Sequence, residues 1–451
     1  MTEQATGVPT RALGFWMCTA LVVGNIIGIG VFLMPAALAP YGINALTGWL
    51  VTVIGCVFLA YALAGLARAF PQDDGPYGYS QRAFGDGTAF MIMWSYWVAT
   101  WITNATLAIG VVGYMSFLVP ALAGHPLYPP LIALSLLWMF VLLNLRGVRT
   151  VGWMQVVTTV LKLLPLLAVV LLGLWQLVSE PASYTTHVPA TPLSLRDAMA
   201  ASTIALFAML GLECATIPAA RVRDPERTIP RATLAGTIIT SLIYIGVCAI
   251  PMFLIPQGEL AASNAPFADL LSRFIGAGSG ELIAVFVIVS GLGALNGWTL
   301  VVGEVTQSLA KRGNFPRIFA RENRYGAPTL AFVLCGVVAS VMLLMNYNQS
   351  LVSIFTFLSV VVTAANLPLY LVCSLAVLVL WRRGQIRRVG RRGWGLFVAA
   401  ALAAAYCVWA FLGVGWKSLA WALVLCGAGV PVYVWSWYRQ RRTQAVASGA
   451  A

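Results

Sequence analysis

The chain has 451 residues, of which 60% are hydrophobic and only 9% are charged. A soluble globular chain carries about 25% charged residues, so neither an ordinary soluble core nor a disordered chain fits these numbers. The net charge of +13 does not suggest a nucleic-acid partner, because no soluble domain able to read bases accompanies the basic residues.

The expectation is an all-α polytopic membrane protein. A spanning helix takes about 20 apolar residues, and runs such as 156–178 are continuous, unlike the weak ~10-residue alternation of a barrel. The opening segment MTEQATGVPTRALG does not have the look of a cleavable signal peptide, so the first span is expected to be retained. Twelve spans are expected, near 14–39, 44–68, 88–119, 130–145, 153–178, 197–219, 232–255, 280–309, 328–345, 351–380, 394–414 and 416–438. They belong to one membrane domain over 1–451, with no separate soluble domain. The longest outer loop is expected around Pro181 to Arg196. With both termini in the cytoplasm, 23 of the 27 basic residues fall in cytoplasmic segments. Arg196, Arg273 and Lys417 fall outside, and Lys162 lies within span 5. That asymmetry sets the orientation and favours an even span count.

Span 1 contains Gly24-Asn25-Ile26-Ile27-Gly28-Ile29-Gly30. Glycines at mid-membrane depth weaken a helix. They can serve close helix packing, or an unwound segment that offers backbone donors to a ligand. Asn25 favours the second, because a buried amide needs partners. Span 6 has Phe207-Ala208-Met209-Leu210-Gly211-Leu212-Glu213, again with a mid-span glycine. Paired interruptions at matching positions point to an inverted-repeat transporter. A half-helix N-terminus suits a carboxylate and a half-helix C-terminus suits an ammonium.

Ionisable residues inside the bilayer are functional candidates by default. Lys162 and Glu213 are the deep ones, and Glu304 is shallower. Lys162 can carry protons or act as a static brace on the carbonyls of a broken helix. In span 3, Tyr96, Thr100 and Asn104 repeat at four-residue steps and suggest one polar stripe. Trp298 in span 8 is either a packing residue or a cover for a cationic ligand. Gly291, Gly293 and Gly297 imitate a dinucleotide fingerprint, but inside a span they suggest packing.

The eight cysteines lie in apolar spans and are expected to be free and buried. His125 and His187 sit in different outer loops, so no metal site and no cofactor are expected. No enzyme motif is present.

The stretches GNIIGIGVFLMPAALAPYG, DGPYGYSQRAFG, YWVATWITN, LNLRGVRTVGWMQ, GLECATIPAARVRDPERTIPRAT and GALNGWTLVVGE together resemble the amino acid–polyamine–organocation superfamily. The similarity runs along nearly the whole chain and is greatest to the bacterial basic amino acid/polyamine antiporters. The resemblance implies a LeuT-like fold of twelve transmembrane helices, a five-plus-five inverted repeat with broken helices 1 and 6. The first repeat would cover 14–178, the second 197–380, and helices 11 and 12 would cover 394–438. It implies alternating access at a site where Gly28, Ile29 and Gly30 bind a carboxylate. Carbonyls of Leu206, Phe207 and Ala208 would take an ammonium. Asn25, Ala99, Thr100, Asn104 and Ser359 would complete the pocket, with Tyr96 gating, Trp298 packing on the substrate and Glu213 linked to coupling.

The chain departs from the arginine/agmatine antiporter of that group at three positions. Phe207 stands where that protein has a tryptophan gate, and Ile29 where it has a serine. Lys162 has no counterpart there, and instead matches a lysine that other members carry in place of a sodium ion. The resulting expectation is a secondary active antiporter for an amino acid or amine in the bacterial inner membrane, with the lipid bilayer as its setting and a homodimer as one possible assembly. The alternative is a proton-coupled permease for neutral amino acids that uses Lys162.

Overall fold

The computed structural model describes residues 14–447 except 72, 74, 123, 147–160, 190, 213–223, 346–348 and 387–390. All regular structure among them is helical. In chain order the helices are α1 (Phe15–Ile26), α2 (Gly30–Leu38), α3 (Ile43–Ala69), α4 (Gly75–Phe84), α5 (Asp86–Leu118) and α6 (Tyr128–Asn144). These are followed by α7 (Leu163–Ser179), α8 (Ser183–Thr186), α9 (Leu195–Ala208), α10 (Pro225–Leu254), α11 (Gln257–Ala262) and α12 (Pro266–Phe274). The last are α13 (Ala277–Lys311), α14 (Thr329–Leu344), α15 (Leu351–Arg382), α16 (Arg391–Leu412), α17 (Trp416–Gly427) and α18 (Gly429–Ala447).

Among the described residues, seven helices are long and apolar enough to cross a membrane: Ile43–Ala69, Asp86–Leu118, Arg227–Leu254, Gly278–Lys311, Leu351–Arg382, Gly393–Leu412 and Trp416–Arg439. Shorter apolar helices accompany them, including Tyr128–Asn144, Leu163–Ser179 and Thr329–Leu344. Helices α5 and α15 form the centre. Both are mostly buried along their apolar length and pack extensively on each other. Large side chains such as Leu171, Trp175, Leu423 and Val424 are exposed on the outer helices, as the low polarity of a bilayer allows.

Close helix contacts rest on small residues. A Cβ at Gly48 of α3 would lie 2.7 Å from the Ser202 backbone nitrogen of α9. One turn on, the Thr52 hydroxyl pairs with Ser202 Oγ at 2.8 Å. Gly291 of α13 meets Ile29 and Val111 in the same way, so this glycine serves helix packing, as expected of the dinucleotide-like string.

One expectation needs correction. The connection after α10, expected on the same side as the one around Pro181 to Arg196, is longer than it and holds two helices, α11 and α12. Phe267 of α12 is fully buried and meets Phe32 edge-on at 5.5 Å, so this connection is part of the core. The last expected span, 416–438, matches the apolar segment Trp416–Arg439, with a single turn residue, Ala428, between α17 and α18. The Trp94 indole donates to the Leu425 carbonyl at 2.9 Å, the acceptor that the amide of residue 429 would use in a continuous helix. A Cβ at Gly429 would fall 2.6 Å from the same indole.

Seven cysteines are free, all buried except the half-buried Cys426, and Cys214 lies outside the described residues. No group of metal-ligating side chains occurs among the described residues.

Candidate functional site

The first interruption expected from sequence is present. Helix α1 ends at Ile26, Ile27 is extended (φ −71°, ψ 101°), and a new helix begins at Gly30. A Cβ at Gly28 would meet nothing within 4 Å, so this glycine is an opening in the backbone and not a packing contact. The last carbonyls of α1 have no intrahelical donor, and side chains from other helices supply one. Lys162, at the start of α7, donates to the carbonyls of Gly24 and, at 2.8 Å, Ile27. Tyr244 of α10 donates to Ile26 O at 3.0 Å. Lys162 is 3% exposed, with its ammonium held on backbone oxygens.

At the second expected interruption α9 ends at Ala208, and residues 213–223, over which a second half-helix would resume, lie outside the described residues. Met209 N bonds to Leu206 O at 3.0 Å and Leu210 N to Phe207 O at 3.3 Å. These tight turns end in Gly211 at φ +105°, where a residue with a Cβ is strained.

The first break and the end of α9 border one small cleft. Ile26, Gly28, Gly30 and Val31 line it from the first break, and Phe207, Ala208 and Leu210 from the end of α9. Thr103 and Leu107 of α5 and Trp298 of α13 complete it. Phe207 lies directly over Gly30, where a Cβ would be 3.0 Å from its ring. The same ring meets Phe355 of α15 edge-on at 5.8 Å. No carboxylate lines the cleft among the described residues.

Of the residues singled out from sequence, Gly28, Gly30, Phe207, Ala208 and Trp298 border the cleft. Leu206 is buried beside it and its carbonyl closes the turn. The Ile29 side chain is directed elsewhere, against Gly110 and Gly291. The expected α5 stripe is rotated. Steps of four residues overshoot a helical turn by about 40° each, so a face through Tyr96 and Thr100 continues to Thr103 and Leu107 and leaves Asn104 to one side. Asn104 accepts instead from Thr299 at 3.4 Å.

The Thr100 hydroxyl donates to Trp97 O at 2.7 Å, and the Ala99 carbonyl accepts from Thr103 at 2.8 Å. Tyr96 is buried nearer the start of α5. Ser359 is buried with its hydroxyl on Thr356 O at 2.8 Å. Asn25 is in α1, but its side chain, like the whole of Glu213, lies outside the described residues. Sequence reasoning missed Ile26, Val31, Thr103, Leu107 and Leu210. The 3.6-residue period gives the α5 pair, and the others flank the glycines of the break and of the turn after α9.

One helix interrupted and another ending at the same cleft, among described residues that are helical and include apolar segments long enough to cross a membrane, define a membrane transporter. The profile described as amino acid permease matches residues 13–435, and the chain belongs to this family, within the amino acid–polyamine–organocation superfamily. A cadaverine/lysine antiporter of Escherichia coli (strain K12) is 31% identical over 345 residues, 75% of this chain and 76% of that protein. The putrescine transporter PotE of the same strain is 29% identical over 378 residues, 84% of this chain and 85% of that protein. The family and these relatives are transporters, and this chain is a transporter and not an enzyme.

Proposed function

We propose that the chain is a secondary active antiporter of the bacterial inner membrane that exchanges an amino acid for a related amino acid or amine by alternating access. The observation that carries this reading is the helix break and the helix end at one cleft. The amides of Gly30 and Val31 that open α2 have no acceptor one turn back and suit the substrate carboxylate, whereas Phe32 N bonds to Ile29 O at 3.1 Å. The last-turn carbonyls of α9 suit its ammonium. Trp298 and Phe207 cover the side chain, and Thr103 supplies the one side-chain hydroxyl of the cleft among the described residues. The names of the relatives, a cadaverine/lysine antiporter and a putrescine transporter, support amino acids and amines as the substrate class.

The same reading includes twelve spans, a five-plus-five repeat over 14–178 and 197–380, and both termini in the cytoplasm. Counterflow into proteoliposomes tests it. Internal unlabelled substrate should accelerate uptake of labelled substrate, and uptake indifferent to internal substrate would reject exchange.

A second reading draws on Lys162. A buried ammonium on the carbonyls of the broken helix favours a proton-coupled permease for neutral amino acids, in which loss of its proton loosens α7 from α1. Accumulation driven by a pH gradient, with no internal substrate, separates this reading from exchange.

A further inference from the structure

The face of α5 that borders the cleft continues beyond it. Thr103 and Leu107 line the cleft, and Gly110 and Tyr114 follow them at steps of three and four residues. At 100° per residue all of these fall within an arc of about 60°. Gly110 receives α2, for a Cβ there would lie 3.1 Å from the Leu33 side chain and 3.2 Å from that of Ile29. Tyr114 is fully buried, and its hydroxyl donates to Phe32 O at 2.9 Å. The same oxygen accepts from Phe267 N, in the first turn of α12, at 3.4 Å. A phenol has a single proton to give, and here it is given to α2.

The turn that Tyr114 grips is the one whose open amides face the cleft. Gly30 and Val31 line the cleft, and Phe32 is the next residue. The chain itself does little to fix this turn. It enters through the break at Ile27 and Gly28. Pro35 lies inside α2, and with no N–H it cannot donate to Val31 O one turn back. Contacts from other elements therefore set where the turn sits. Gln257 of α11 ties the far end through Ala39 O at 2.8 Å. At the near end the Tyr114 ring meets Phe32 edge-on at 6.5 Å, and the Tyr114 hydroxyl acts on the backbone of the opening turn directly. Hydrogen bonds weaken steeply when donor and acceptor are misaligned, so two backbone amides that share a carboxylate depend on this placement.

We propose that Tyr114 is a positioning residue for the carboxylate site: its hydroxyl, seated on Phe32 O, holds the opening turn of α2 where the amides of Gly30 and Val31 reach the substrate. Tyr114 does not line the cleft, so it acts through α2. Resting on the reading above in which these amides bind a carboxylate, this divides α5 between two tasks. Thr103 and Leu107 meet the substrate, and Gly110 and Tyr114 seat the half-helix that meets it. A substrate with a carboxylate depends on both tasks, whereas one without it depends on the first alone. Tyr114 therefore helps set the preference for amino acids over amines, at a distance from the side-chain pocket.

Tyr114→Phe tests this, because it keeps the buried ring and removes only the hydroxyl. The first ligand is whichever standard amino acid most raises the melting temperature of the detergent-purified parent protein. The second is the methyl ester of that amino acid, which keeps the ammonium and the side chain and loses the negative charge. Calorimetric titration of both proteins with both ligands gives the acid-to-ester affinity ratio. The parent should prefer the acid. Tyr114→Phe should weaken acid binding at least about fivefold, or about 1 kcal/mol, and leave the ester unchanged. Equal loss for both ligands, or no loss, overturns the role of Tyr114 and leaves the carboxylate site standing. A parent that binds acid and ester alike, or that no standard amino acid stabilises, overturns the carboxylate reading and this role with it. Should Tyr114→Phe not fold, Gly110→Ala decides, since its Cβ presses on Leu33 and Ile29 and displaces the same turn. The same fall in the ratio is expected, and an unchanged ratio overturns the proposal.

Discussion

Trp298 is the half-buried aromatic of the cleft, and its indole face is the largest π surface available to a cationic substrate group. Cation–π contacts reach about 2 kcal/mol when desolvated. Trp298→Ala should therefore weaken binding at least about tenfold with the fold intact, as read by calorimetric titration and circular dichroism; wild-type affinity would leave Trp298 a packing residue. The α5 residues separate from one another in a second test. Thr103 borders the cleft, and with its proton on Ala99 O its oxygen still accepts. Asn104 is occupied with Thr299. Thr103→Val should thus narrow the preference for substrates with a donor over apolar ones of equal size, since a site built to bond a group discriminates through it. Asn104→Ala should weaken all substrates alike. The opposite pattern in competition assays would restore the stripe through Asn104. Four-residue steps made Asn104 look equivalent to Thr100 in sequence, and only the accumulated rotation of a long helix separates them.

The helix break and the end of α9 were legible because each needs a property that glycine carries in the chain itself. Gly28 leaves the backbone open, and Gly211 adopts a positive φ that other residues resist. Gly211→Ala should cost about 1–3 kcal/mol and lower both the melting temperature and substrate affinity, because the carbonyls of α9 are set by that turn. A variant with unchanged stability and affinity would show that the turn is set elsewhere. The division of α17 from α18 was not legible. Its cause is an indole more than three hundred residues away in sequence that takes the Leu425 carbonyl, and a local apolar pattern carries no trace of it. The helices α11 and α12 escaped although Phe267, Leu270, Leu271 and Phe274 repeat at helical spacing, because each is too short to cross a membrane, and α12 is ordered by Phe267 entering the core. Helix α4 was also hidden within an expected loop. It is tied down by two parallel hydrogen bonds of 2.9 Å from Arg82 to Asp73, and the Arg383 side chain at the end of α15 donates to Arg82 O at 3.3 Å.

At the scale of the whole molecule, composition was enough for the membrane class, and the family follows from a profile match over residues 13–435. Lys162 joins α7 to the broken end of α1, and its replacement tests how the transporter is driven. If the lysine is a permanent brace, Lys162→Ala leaves the carbonyls of Gly24 and Ile27 without that donor, at about 1–3 kcal/mol for each unsatisfied group. Transport should then slow in equal proportion with and without a pH gradient. If the ammonium gives up its proton in each cycle, the brace is also the coupling device. Removing it should abolish accumulation driven by the gradient while counterflow persists. Some loss of stability is expected in both cases, so melting temperature alone cannot decide between them. The ratio of uptake with a gradient to uptake without one can, measured in the same proteoliposome preparation and normalised to counterflow. A collapse of that ratio toward one in Lys162→Ala assigns coupling to the lysine, and a wild-type ratio leaves exchange driven by the substrate gradients.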